Sequence, residues 1–223
     1  PMPVRRPLRW ARAEAESGAD LSPGAHPPLL EEAATLEAVR AALVVKPGRD
    51  VLHFACHGSF DPGDPLRSAL YLAHEEPLTM AEIRDMPLAG TRLAVLSACQ
   101  TGLTDFRDIP DEVVGLPAGF LQAGVAGVVS SLWPVDDAGT MLLMERFHRF
   151  RREEGLDPGA ALRSAQRWLR DRTRSELSDY YGDYMRMSSE TAESGHIELP
   201  GGADTARVYA DPYRWAAFTM TGA

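Results

Sequence analysis

Apolar and polar positions along this chain switch between a helical period and short continuous apolar runs. Leu30, Ala33, Ala34, Leu36, Val39, Ala42 and Leu43 recur at helical spacing, which predicts a helix over 30–44 that Pro47-Gly48 ends. Residues 51–56, Val-Leu-His-Phe-Ala-Cys, form an apolar run of strand length closed by His57-Gly58. A short strand is expected over 68–73, after the turn-rich Asp61-Pro62-Gly63-Asp64-Pro65. A short helix follows over 79–85, with Thr79 as its cap and Glu82 at the capping-box position. Residues 92–98 read as a second buried strand running into Cys99-Gln100-Thr101-Gly102. A helix over 111–123 is expected to kink at Pro117, and 125–132 reads as a third buried strand. Met141, Met144, Phe147 and Phe150 mark an amphipathic helix over 137–154, a core or partner-facing stripe. Asp157 caps a further helix with Pro158 at its first position. Residues 173–208 show weak periodicity, and 215–221 reads as a last strand.

Strands alternating with helices predict an α/β, mostly parallel sheet sandwiched between helices. Residues 1–28 hold Pro1, Pro3, Pro7, Pro23, Pro27 and Pro28 and read as a proline-rich arm or linker, with a short helix over 8–16; 29–223 reads as one domain. A start at Pro-Met-Pro reads as a piece of a larger parent protein.

Composition narrows the classes. Of 223 residues, 44% are hydrophobic and 25% charged, as in a soluble globular domain. A net charge of −9 argues against direct nucleic-acid binding or an anionic membrane surface. No apolar run reaches about 18 residues, so no membrane span is expected, and the basic N-terminus lacks the apolar stretch of a signal peptide. Two cysteines, Cys56 and Cys99, make no disulfide framework and suit a reducing, cytoplasmic compartment.

In open α/β sheets, functional groups sit at the carboxyl ends of the strands. That rule selects His57 and Cys99. A thiol is a weak nucleophile until ionised, and an imidazole is the base that ionises it. If the two strands are neighbours, their ends lie about 5 Å apart, within reach of one substrate. Gly58 follows His57 without a side chain, so the amides of Gly58 and Cys99 form a candidate oxyanion hole. Alternation turns Cys56 away from His57 and into the core, and places His53 deeper on the face of His57. His53, Cys56 and His57 cannot converge from one strand on a metal, and no second cluster completes a tetrahedral set; no metal or other cofactor is expected. The haem-attachment pattern needs a Cys where His53 stands.

The stretches His53-Phe54-Ala55-Cys56-His57-Gly58 and Ser97-Ala98-Cys99-Gln100-Thr101-Gly102 resemble the two signature segments of the CHAT domain family, caspase- and separase-like peptidases found beside TPR repeats. His57 stands 42 residues before Cys99, against about 50 in the related caspase pattern. Further similar blocks are Glu112 with 115–120 and Ala123-Gly124, then 130–137, and last 211–218. The resemblance covers about 29–223, and family members usually carry more sheet ahead of it. It implies a cysteine endopeptidase with a Cys99–His57 dyad and an acyl-enzyme, acting on a protein substrate in regulated prokaryotic signalling or defence. Its partner would be a regulatory sensor or TPR-type region or subunit. Asp137, Asp136 and Glu112 become candidate substrate-binding carboxylates for a basic residue before the cut bond. The plainer alternatives are a helix cap for Asp136 and Asp137 and a solvated surface site for Glu112. Two rival functions stand beside the peptidase: a catalytically silent CHAT-type interaction module, and a cysteine hydrolase of small molecules.

Overall fold

A computed structural model describes residues 7–21, 24, 26–45, 50–97, 115–187 and 197–223, with 185–187 as backbone alone. In chain order the elements are α1 (Ala11–Asp20), α2 (Leu36–Leu43), β1 (Val51–Ala55), β2 (His57–Ser59), β3 (Ala69–Tyr71), β4 (Pro77–Thr79), α3 (Met80–Arg84), β5 (Leu93–Ser97), α4 (Leu116–Gln122), β6 (Gly127–Ser131), α5 (Asp137–Glu153), α6 (Pro158–Asp171), α7 (Arg174–Met187), α8 (Pro212–Trp215) and β7 (Phe218–Gly222). They fall into two compact units.

The first unit comprises the described parts of Pro1–Leu8, Pro27–Pro134 and Phe218–Ala223. Its main sheet has the order β1-β5-β6-β7. The first three strands are parallel and β7 is antiparallel to β6. This is the mixed, mostly parallel α/β sheet expected. All five residues of β5 and all five of β6 are buried, Ser97, Ser130 and Ser131 along with the apolar residues, as in a parallel strand covered on both faces. Leu52, Ala94, Leu96 and Val128 share one core with Val39 and Leu43 of α2, Met80 and Ile83 of α3, and Leu116 and Phe120 of α4. Each fully buried Leu, Ile or Phe there stabilises the fold by about 1.5–3 kcal/mol. Strands β2, β3 and β4 form a second, antiparallel sheet whose Leu70 and Leu78 enter the same core.

Local chemistry explains several boundaries. Thr79 caps α3 through a full capping box: its hydroxyl accepts the Glu82 N–H, and Glu82 Oε2 accepts the Thr79 N–H at 2.9 Å. The helix expected over 30–44 breaks in two. A 3-10 turn over Glu31–Ala33 precedes Thr35, which starts α2 afresh by accepting the Ala38 N–H. The Ala34 carbonyl accepts from Ala73 N and the Leu36 N–H donates to Glu76, so long-range partners hold the break. Pro117 makes no kink. It lies in the first turn of α4, where a missing N–H costs no helical bond. Gly124 ends that helix at φ +101°, and a Cβ there would come 2.9 Å from the Ala89 backbone.

The second unit comprises Arg9–His26 and Val135–Ala217. Helix α1 packs on α5, α5 on α6, and α6 on α8. Asp157 caps α6 by accepting the Ala160 N–H at 3.0 Å, with Pro158 in the first turn. Buried Glu145 on α5 accepts from Arg149 at 2.8 Å and from the Tyr180 hydroxyl of α7. Burial, reinforced by the Glu145 charge, pushes the Tyr180 phenol up to about 12. The Arg146 guanidinium lies over Phe150, Trp168 and Tyr180, at 4.4, 5.2 and 5.5 Å from their ring centres, which ties α5, α6 and α7 together. Helix α7 is absent from the expectation over 173–208, and α8 forms at Pro212–Trp215, where no helix is expected. The last strand starts at Phe218 because Asp211 and Pro212 begin a short helix that takes up Trp215.

Candidate active site

The site starts from the register of two parallel strands. In the β1–β5 pair, Val51 stands opposite Leu93, His53 opposite Val95 and Ala55 opposite Ser97. Both strands therefore end at one level. The Phe54 ring, 5.7 Å from that of Phe120, anchors the end of β1 on α4.

After Ala55 the chain leaves the main sheet. Cys56 is the single residue between β1 and β2, and His57 opens the second sheet. Cys56 is partly buried and packs against the core. The expectation that His57 and Gly58 merely close the first strand needs correcting: both are strand residues. His57 stands opposite Tyr71, Gly58 opposite Leu70 and Ser59 opposite Ala69. Because alternate residues point to opposite faces, Leu70 and Leu78, both fully buried, define the inner face. His57, Ser59 and Tyr71 share the other face, and all three are half-buried. There the Ser59 hydroxyl donates to the Tyr71 hydroxyl at 3.1 Å. Nothing in the apolar pattern marks Tyr71 as a neighbour of His57, since the pairing depends on the turn between β2 and β3. The shared face of His53 and His57, argued from one continuous strand, does not carry across this change of sheet.

Cys99, with its amide, and Glu112 lie outside the described residues. Among the described residues, no group of three or more His, Cys, Asp or Glu is arranged to hold a metal ion.

Asp136 and Asp137 belong to the second unit. Asp136 is the N-cap of α5: its Oδ1 accepts the Gly139 N–H at 2.9 Å and the Tyr209 hydroxyl at 2.8 Å. Asp137 is the first residue of α5, and its Oδ2 accepts the Trp10 N–H at 3.0 Å. Burial pushes the Asp137 carboxyl up from its ordinary value. The Trp10 N–H opposes that rise, and the charges of Glu14 and Asp136 add to it. Capping by Asp136 follows from its sequence position, whereas its bond to Tyr209 and the one from Trp10 to Asp137 span 73 and 127 residues.

A mixed, mostly parallel sheet flanked by helices is consistent with the caspase-like class of peptidase folds. The chain belongs to the CHAT domain family, whose model matches residues 4–223. That family lies within the caspase-like peptidases, and its domains often pair with TPR regions. No curated protein gives a significant match. No helix among the described residues is long and apolar enough to cross a membrane.

Proposed function

We propose that this chain is a cysteine endopeptidase using a Cys99–His57 dyad. The observation that carries the reading is the register of β1 on β5. Ala55 pairs with Ser97, and the sequence places His57 and Cys99 each two residues beyond that pair. Adjacent strands run about 4.8 Å apart and two residues span at most about 7 Å, so this register supports reading the two residues as a pair. The half-buried position of His57 suits a base that must meet both a thiol and a substrate.

In this mechanism His57 takes the Cys99 proton and the thiolate attacks the substrate carbonyl carbon. The amides of Gly58 and Cys99 stabilise the oxyanion. The C–N bond breaks as His57 gives its proton to the leaving amine, leaving a thioester. Water then attacks the thioester, His57 accepts a proton from it, and the acid leaves as Cys99 regains its thiol. The cellular setting belongs to the proposal too: regulated proteolysis in the prokaryotic cytoplasm, switched by a sensor or TPR-type region. A basic residue before the cut bond is the preference the family resemblance implies.

The test is labelling with a thiol-reactive peptide electrophile, followed by incubation with a peptide library read by mass spectrometry. Adduct on Cys99, lost in His57→Ala, and discrete cut positions are expected. A folded protein whose Cys99 reacts no faster than Cys56, with no peptide cut, would leave the interaction module as the better reading. Peptides differing only in Arg or Met before the cut test the preference.

A further inference from the structure

We propose that Tyr71 is a positioning residue for His57, holding the imidazole by walling one side of it on the half-buried face of the second sheet that carries Ser59. The proposal rests on the reading of His57 as the general base. Its support is the placement of three residues. His57 begins a strand of only three residues, and its backbone is held by pairing to β3. Its cross-strand partner is Tyr71, and side chains directly opposite in an antiparallel pair have Cβ atoms about 4.5–5.5 Å apart. Both lie on the face away from the buried Leu70 and Leu78. Pairing fixes where the His57 Cβ sits, while the direction of the ring is a separate choice among staggered rotamers that neighbouring side chains decide.

Tyr71 is itself held at its far end. The Ser59 hydroxyl donates to the Tyr71 oxygen at 3.1 Å, and Ser59 lies two residues beyond His57 on the same face. A tyrosine tethered at both Cα and hydroxyl loses most of its rotamer freedom. Its ring is then a fixed wall beside His57 rather than a mobile neighbour. Catalytic groups depend on such support, because a base displaced by about 1 Å loses up to roughly a hundredfold in rate. Tyr71 needs no contact with the reacting atoms for this role.

The experiment measures His57 χ1 populations by NMR in the full chain carrying isotope-labelled histidine. It also measures the rate at which a thiol-reactive peptide electrophile modifies Cys99. Tyr71→Leu removes the wall, Tyr71→Phe keeps the ring and drops the hydroxyl, and thermal unfolding reports stability. One dominant His57 rotamer is expected in the native protein, and averaging over several in Tyr71→Leu. Labelling of Cys99 should fall about tenfold to a hundredfold in Tyr71→Leu, and stay within about fivefold in Tyr71→Phe. Should Tyr71→Leu fail to fold, Tyr71→Val, whose β-branched side chain suits a strand, takes its place. An unchanged single rotamer in a folded Leu or Val variant overturns the proposal. If Cys99 does not react even in the native protein, the dyad reading fails, and the rotamer measurement still decides the role of Tyr71.

Discussion

The Tyr209 hydroxyl donates to Asp136 Oδ1 at 2.8 Å, closing the start of α5 with a residue 73 positions away. Tyr209 is fully buried, and burial, with the Asp136 charge next to it, holds its phenol well above the ordinary range. Gly139 makes room for this pair: a Cβ there would stand 2.5 Å from the Tyr209 ring and 2.9 Å from Asp136 Oδ2. Tyr209→Phe is expected to cost roughly 1.5–3 kcal/mol, the range for a bond to a charged acceptor. Gly139→Ala adds a methyl where none fits and should cost about 1–3 kcal/mol or more. Urea unfolding midpoints check both, and an undiminished midpoint for Gly139→Ala means that the ring and the cap do not meet over Gly139.

Asp137 gives a pH dependence with a definite sign. Its folded-state pKa lies above the ordinary value, with burial the main cause, so folding favours the protonated carboxyl. The stabilising contribution is full below the unfolded pKa and is lost as pH rises through the folded pKa. Asp137→Asn keeps an oxygen to accept the Trp10 N–H and removes the partly buried charge. The variant should therefore melt higher than the native protein at pH 7, with the difference shrinking as pH falls toward 4. Melting curves across that window test this, and a gap that widens on acidification contradicts it.

The two cysteines should separate cleanly. Cys56 packs against the core, so Cys56→Ala should cost roughly 1 kcal/mol, as small core deletions do, and leave electrophile labelling of Cys99 intact. Cys99→Ala should abolish both labelling and cleavage in a protein that still folds. Circular dichroism melts beside the labelling assay decide it. Lost cleavage in folded Cys56→Ala, with cleavage kept in Cys99→Ala, would reverse the assignment.

Helix α7 starts on a reciprocal cap. The Thr173 hydroxyl accepts the Glu176 N–H at 3.3 Å, while Glu176 Oε2 accepts the Thr173 N–H at 2.8 Å. Thr173→Ala removes one half of this box and should cost about 1 kcal/mol. Thr173→Ser keeps the acceptor and should recover most of that loss in chemical denaturation. Equal losses in both variants would show that the cap contributes little.

This box was legible. Thr173-x-x-Glu176 is the same signature that identifies α3 at Thr79-x-x-Glu82, and Asp211-Pro212 repeats the Asp157-Pro158 pattern that starts α6. Weak apolar periodicity hid α7, because Leu177 and Tyr181 meet the core from a helix otherwise rich in charge. The 30–44 stretch failed the other way. Its apolar spacing is continuous across the break at Ala34–Leu36, which the Thr35 cap starts and the partners Ala73 and Glu76 hold.

Local pattern determined the buried strands β5 and β6 and the caps of α3 and α6. Each depends on side-chain period or on bonds within four residues, which the order of amino acids states directly. Tertiary structure alone decided that β1 lies beside β5 with Ala55 level with Ser97, and that the chain changes sheets at Cys56. It alone set Tyr71 opposite His57 and Tyr209 on Asp136. Register and long-range bonds are chosen by which faces bury together. That choice is a property of the whole packed chain rather than of any one segment.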